Sequence, residues 1–198
     1  MKKVLIRSLA CFLLSVGIFG FYLLKDQKSL EENLTRLHVV ANSDSPQDQA
    51  VKLKVRDAVL ASISGDLQKI ADPQEAKDYL NENLPKIQAA ANEALEALGI
   101  QQQAAVSFCR EVFDTRYYDS FSLPAGFYDA LRVVIGEGEG HTWWCVAYPS
   151  LCLGAASREV EAMAESSGVT EGAAGAITGR YQLRFFLLDL LGKLETLG

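Results

Sequence analysis

Apolar residues are distributed along this chain in three textures. Across residues 4–24 they are nearly continuous, and residues 8–24 carry no charged side chain. Twenty-one residues as a helix cross roughly 30 Å of hydrocarbon. Across residues 47–63, Val51, Val55, Val59 and Ile63 recur every fourth position, with Lys52, Lys54, Arg56 and Asp57 largely off that line. This spacing predicts an amphipathic helix. Ser45 as its cap, Pro46 at its first position and Asp48 in its first turn mark its start. Asp72-Pro73-Gln74-Glu75 repeats that start signal for a second helix. Pro85 predicts a break near Asn83, and Ile87, Ala91, Leu95 and Leu98 form a third stripe that ends at Gly99. The second and third helices are alternatively one kinked element.

The remaining texture is β-like. Residues 34–40 are rich in β-branched and apolar residues and read as a strand, and a turn-forming stretch closes them at 41–46. Alternation over 104–118 predicts a strand, and Leu123-Pro124-Ala125-Gly126 a turn. Residues 130–135 and 142–148 read as strands joined by the glycine-rich 136–140. Residues 154–179 are rich in Ala and Gly and show no clear period beyond a short helix at 157–165. Residues 180–190 place Tyr181, Leu183 and Phe185 in alternation, which predicts a strand with a short helical end. The order predicts an α+β fold: a largely antiparallel sheet packed with two or three helices from the N-terminal half, preceded by one hydrophobic helix. The expected divisions are a signal or anchor segment at 1–24, a polar stalk at 25–33 and an extracytoplasmic domain at 34–198.

Charge gives the apolar run a direction. Lys2, Lys3 and Arg7 precede it, which keeps the N-terminus in the cytoplasm and sends the rest across. The run ends Phe19-Gly20-Phe21-Tyr22-Leu23-Leu24 without the small residues of a cleavage site, which favours an uncleaved anchor over a removed signal. The whole chain carries a net charge of −6, but residues 25–198 hold 16 Lys and Arg against 25 Asp and Glu, a net of −9. So acidic a domain is unsuited to nucleic acid. An anionic membrane face repels it, leaving the anchor or a protein partner to hold it there. With 49% hydrophobic and 22% charged residues in 198, the chain is neither a disordered tail nor a polytopic membrane protein.

Candidate chemistry concentrates in GEGEGHTWWCVAYPSLC, residues 136–152. Its glycines precede an extended segment, so they lack the helix N-terminus that holds a pyrophosphate. His141 and Cys145 are candidates for a hydrolase dyad, with Glu137 or Glu139 as orienter and cell-wall peptide as a substrate. Four residues of strand, however, separate their Cα atoms by roughly 13 Å, too far for proton transfer without a bend. Cys145 and Cys152 are spaced so that the chain can fold back and bridge them, the alternative being buried thiols. No Cys-x-x-Cys pair and only His38 and His141 argue against a zinc site, and no cofactor is implied. His38 reads as a structural strand residue. Asn42-Ser43-Asp44-Ser45 is either a capping turn or an oxygen cluster for a cation. An exposed tryptophan at 143 or 144 would anchor a protein interface.

Residues 36–49, RLHVVANSDSPQDQ, continue through Lys52-Leu53-Lys54-Val55-Arg56-Asp57-Ala58-Val59. Together with Leu123-Pro124-Ala125-Gly126, residues 128–138 and Trp143-Trp144-Cys145-Val146, they resemble the stage II sporulation protein R family of endospore-forming Firmicutes. The resemblance covers residues 34–153. Thr142 stands where the family pattern has Asn, and Ser150 where it has a second proline. The resemblance implies a non-enzymatic signalling protein, made in the forespore and exported across its membrane to the space facing the mother cell. There such proteins trigger a membrane-embedded aspartic protease that processes the precursor of sigma-E. On this reading Arg36, Asn42, Asp44, Asp48, Glu137, Glu139, His141, Trp143 and Trp144 are the expected partner-binding residues, with no catalytic residue or metal ligand.

Overall fold

The structure is a computed structural model that describes residues 2–151 and 157–197. A 32-residue helix, α1 (Lys2–Asn33), leads through Leu34 into β1 (Thr35–Val40). Three helices follow: α2 (Pro46–Leu67), α3 (Pro73–Glu82) and α4 (Leu84–Ala97). Then come β2 (Ala104–Phe113), the short ladder of β3 (Arg116–Tyr117) and β4 (Ser122–Leu123), and the long strands β5 (Gly126–Ile135) and β6 (Thr142–Tyr148). Helices α5 (Ser157–Ser166), α6 (Glu171–Ile177) and α7 (Gln182–Thr196) complete the order.

The fold is α+β, built on a four-stranded sheet in the order β2-β5-β1-β6. Its outer pairings are antiparallel, and its central pair, β1 with β5, is parallel. A parallel neighbour needs a long crossover, which α2 through β2 supply. The helix starts form as their residues dictate. The Ser45 hydroxyl accepts from the Asp48 N–H at 3.1 Å, and the Asp72 carboxylate accepts from the Glu75 N–H at 2.9 Å, each just before a proline. Asn83 ends α3 and opens α4, the break that Pro85 predicts.

Side chains of β1 alternate between the sheet faces. Leu37 and Val39 join a core with Val55, Val59 and Ile63 of α2, Leu80 of α3 and Ile87 and Leu95 of α4. The opposite face is covered by the end of α1 with α5, α6 and α7, where Leu30, Tyr128, Val146, Val160, Ala173 and Leu188 pack together.

Two expectations are corrected here. Residues 25–33 are not a stalk, because α1 continues through them and Asp26, Gln27, Ser29, Leu30 and Glu31 are buried. Their polarity is matched by partners. Asp26 accepts from the Thr170 hydroxyl at 2.5 Å and pairs with Arg184 at 2.7 Å. Gln27 donates to the Ala125 carbonyl at 3.1 Å, and Glu31 accepts from the Phe127 N–H at 3.1 Å. Residues 182–196 are a helix throughout, not a strand with a helical end. The alternation of Tyr181, Leu183 and Phe185 is the start of a helix apolar on two sides. Leu188, Asp189 and Gly192 face inward, while Leu183, Phe186, Leu190 and Leu194 face out. The Ala- and Gly-rich stretch without a clear period contains α6, whose buried face is Ala173, Ala174, Ala176 and Ile177.

Candidate functional site

Because β1 and β5 run parallel, their carboxyl ends emerge side by side, and each passes into a loop. Ligands of open α/β sheets gather at such ends. Here the loop after β1 (41–45) and the β5–β6 hairpin (136–141) are tied into one surface. The Asn42 carbonyl accepts from the Glu139 N–H at 3.1 Å, and the Ala41 carbonyl from the Gly140 N–H at 2.9 Å. The Asn42 side-chain oxygen accepts from the Glu137 N–H at 3.1 Å, while its amide donates to Asp48 at 2.9 Å. Asp44 accepts from the His141 N–H at 2.6 Å and meets the His141 imidazole at Nδ1 as well. From α2, Lys52 donates to the His141 carbonyl at 2.8 Å.

The glycines of this hairpin have separate tasks. Gly136 and Gly138 take positive φ angles of 57° and 68°. A Cβ on Gly140 would lie 2.3 Å from the Ser43 carbonyl oxygen, so only glycine lets the two loops close together.

The electrostatics follow from these bonds. The His141 N–H and imidazole hold the Asp44 carboxyl below its usual range, and the Ser43 hydroxyl with the Asn42 amide does the same for Asp48. Burial lowers the Lys52 ammonium. Asn42, Ser43, Asp44 and Ser45 thus form a capping and bridging turn whose oxygens are engaged by protein donors. Among the described residues, no group of three or more His, Cys, Asp or Glu is placed to hold a metal ion. What the platform offers outward is Glu137, Glu139 and His141, all exposed.

The other expected site residues fall elsewhere. Trp143 and Trp144 point to opposite faces of β6 and are half-buried. Trp143 carries the Arg56 guanidinium 4.8 Å from its ring centroid, on the α2 side beside the platform. Trp144 stacks on His38 at 4.9 Å, with Arg116 at 4.5 Å. Arg36 is corrected outright: it is fully buried, its guanidinium 4.2 Å from the Phe113 ring and 5.2 Å from that of Tyr128. It presents no surface to a partner, because β1 is a central strand with both faces covered.

The His141–Cys145 dyad is also corrected. Cys145 is buried and disulfide-bonded, so its sulfur is not a nucleophile. Cys152, at the other end of the expected bridge, lies outside the described residues. Cys11 and Cys109 are free.

One cluster escapes the sequence reading. The Cys109 thiol donates to Glu111 at 3.1 Å, and the second Glu111 oxygen lies 3.0 Å from His38 Nε2 without hydrogen-bond alignment. Burial, reinforced by Glu111, raises the Cys109 thiol and keeps it protonated. Desolvation lowers His38 to about 4 despite the nearby carboxylate. The alternation Ser107, Cys109, Glu111 places these β2 residues on one face, but their meeting with β1 depends on β5 lying between the two strands.

Comparison with known proteins accounts for both motif blocks. A family profile described as stage II sporulation protein R matches residues 31–158. Stage II sporulation protein R of Bacillus subtilis (strain 168) is 35% identical over 184 residues, covering 86% of this chain and 82% of that protein. No solved structure matches.

Proposed function

The chain belongs to the stage II sporulation protein R family and has a sporulation role; from that premise we propose that it is the exported activator of a membrane-embedded aspartic protease that processes the sigma-E precursor. In this reading α1 anchors it in the forespore membrane, and its domain stands in the intermembrane space. The domain binds the protease on its extracytoplasmic side and favours the active form. Such activation needs differential affinity: shifting an equilibrium from almost wholly inactive to almost wholly active takes about 5.5 kcal/mol between the two states.

The observation that supports this reading is the joining of two motif-bearing segments, some 95 positions apart, into one surface. Asn42 and Asp44 are spent on holding the 136–141 hairpin rigid, which leaves Glu137, Glu139, His141 and the edge of Trp143 as a preorganised face. A rigid face loses little conformational entropy on binding.

The test is precursor cleavage reconstituted in vesicles containing the protease, with and without the full chain. Addition of the chain should start processing, and Glu137→Ala/Glu139→Ala should cut the rate at least tenfold with the circular dichroism spectrum unchanged. Full processing by that variant would place the contact elsewhere; no processing by the native chain would sink the activator reading itself.

A further inference from the structure

Helix α1 is long and apolar enough over its first part to cross a membrane, and its end is built into the domain. The side chains of residues 4–24 are largely exposed, whereas Leu23 is 6% and Leu30 0% exposed within the core. Span and domain are therefore joined by one continuous helix without a flexible tether, and the height of every nearby element above the bilayer is set by its place along α1.

Helix α7 lies at a defined height. Arg184 pairs with Asp26 at 2.7 Å, Gly192 packs against Gln27, and Glu195 meets Glu31. Those α1 residues lie two to seven positions beyond Leu24, about 3–10 Å above the edge of the apolar run at 1.5 Å per residue. The polar headgroup layer is roughly 5–8 Å thick on each side of the hydrocarbon. All three contacts along α7 fall on this short stretch of α1, so α7 lies close to the headgroup layer.

The side of α7 turned away from the domain is apolar. Leu183 is 70% exposed, Phe186 61%, Leu190 45% and Leu194 59%, a single stripe at helical spacing. Of the exposed lysines on the two helices, Lys28 pairs with Glu32 at 3.5 Å and Lys193 with Asp189 at 2.7 Å. Charges on the two helices are thus largely matched within the domain, so the apolar stripe and its height above the span carry the contact with lipid.

We propose that α7 is an interfacial helix, its stripe of Leu183, Phe186, Leu190 and Leu194 seated at the headgroup–acyl boundary of the membrane that α1 crosses. The inference rests on α1 as a membrane span. Two attachments, one spanning and one lying flat, fix the domain's rotation as well as its height, so that the platform at the far ends of β1 and β5 is presented in a constant attitude.

The full chain, reconstituted in phosphatidylcholine–phosphatidylglycerol vesicles with brominated acyl chains, tests this through the added fluorescence of Leu190→Trp, with Leu194→Trp as the second variant should the first fail to fold. Leu14→Trp in α1 reports the span, and Leu53→Trp on α2 is the water-exposed control. Quenching at 190 or 194 should be about threefold or more that at 53 and approach that at 14. Strong quenching at 14 with 190 and 194 no different from 53 overturns the interfacial helix and leaves the span intact. Loss of quenching at 14 overturns both. Stripe residues that stay unquenched but report concentration-dependent self-association place a second copy of the chain, not lipid, on this face.

Discussion

On one face of the sheet, α2, α3 and α4 bury aliphatic side chains: Leu37, Val39, Leu131 and Val133 lie beneath Val55, Val59, Ile63, Ile87 and Leu95. On the other, the end of α1 with α5, α6 and α7 buries Arg36, His38, Asp26, Gln27, Glu31 and Asp189 among rings and small residues. The first face is held by contact area, which is non-directional and adjusts to small changes of shape. The second is held by directed pairs, each of which fixes a backbone position, so small displacements there break several bonds at once.

The same substitution made on each side should separate the two most widely. A Cβ on Gly192 of α7 would lie 1.7 Å from the Ala125 carbonyl oxygen and 2.5 Å from its carbon, both backbone atoms that cannot turn aside. Helix α7 must then lift, pulling Asp189 from the Ala125 N–H and from Thr115. Gly192→Ala is expected to cost about 3 kcal/mol or more. On α2, a Cβ at Gly65 meets nothing within 4 Å, so Gly65→Ala should gain up to about 1 kcal/mol from helix propensity. Urea unfolding of both variants checks this, and shifts of the same sign would show that the faces do not differ in this way.

A second expected difference is in pH response. Burial lowers His38 to about 4 from an ordinary 6.5, so the folded protein binds this proton more weakly than the unfolded chain does. Its contribution is present in full above pH 6.5 and is lost as pH falls toward 4. The loss between pH 7 and 4 should be about 3 kcal/mol in the native chain and absent at that position in His38→Gln. Parallel stability profiles for the two proteins would contradict the assignment. Among the described residues the α2–α4 face buries no histidine, so nothing there titrates over this pH range in the same way.

The contrast also explains what could be read from the sequence. Val51, Val55, Val59 and Ile63 announce α2 because apolar residues at helical spacing are both the signal and the cause of that packing. Asp26, Gln27 and Glu31 gave the opposite signal: polarity normally marks exposure, and their partners Thr170, Ala125 and Arg110 lie far along the chain. At the site, the Asn42 and Asp44 turn was legible as a cap and the 136–141 segment as unusual, but their joining depends on the parallel pairing of β1 and β5, which no local pattern encodes. Arg36 was misplaced on the surface for the same reason, since a guanidinium lying over two rings looks in sequence like any other charge.

Arg36 provides the smallest and most discriminating test of the comparison. Its Nε and Nη1 have no hydrogen-bond partner among the described residues, its Nη2 donates to the Tyr118 hydroxyl at 3.2 Å, and the Phe113 and Tyr128 rings supply the rest of its surroundings. Ring contacts with a desolvated cation contribute about 2 kcal/mol, whereas the desolvation of a buried charge amounts to several. Methionine has a similar length, fills the space between the rings and leaves only the half-buried Tyr118 hydroxyl to find water. Arg36→Met should therefore raise stability by about 1 kcal/mol, read as a higher urea midpoint with an unchanged slope. A loss of more than about 1 kcal/mol would mean that the guanidinium is held by more than its rings, and that this face owes its stability to charge at Arg36 as it does at Asp26 and Glu31.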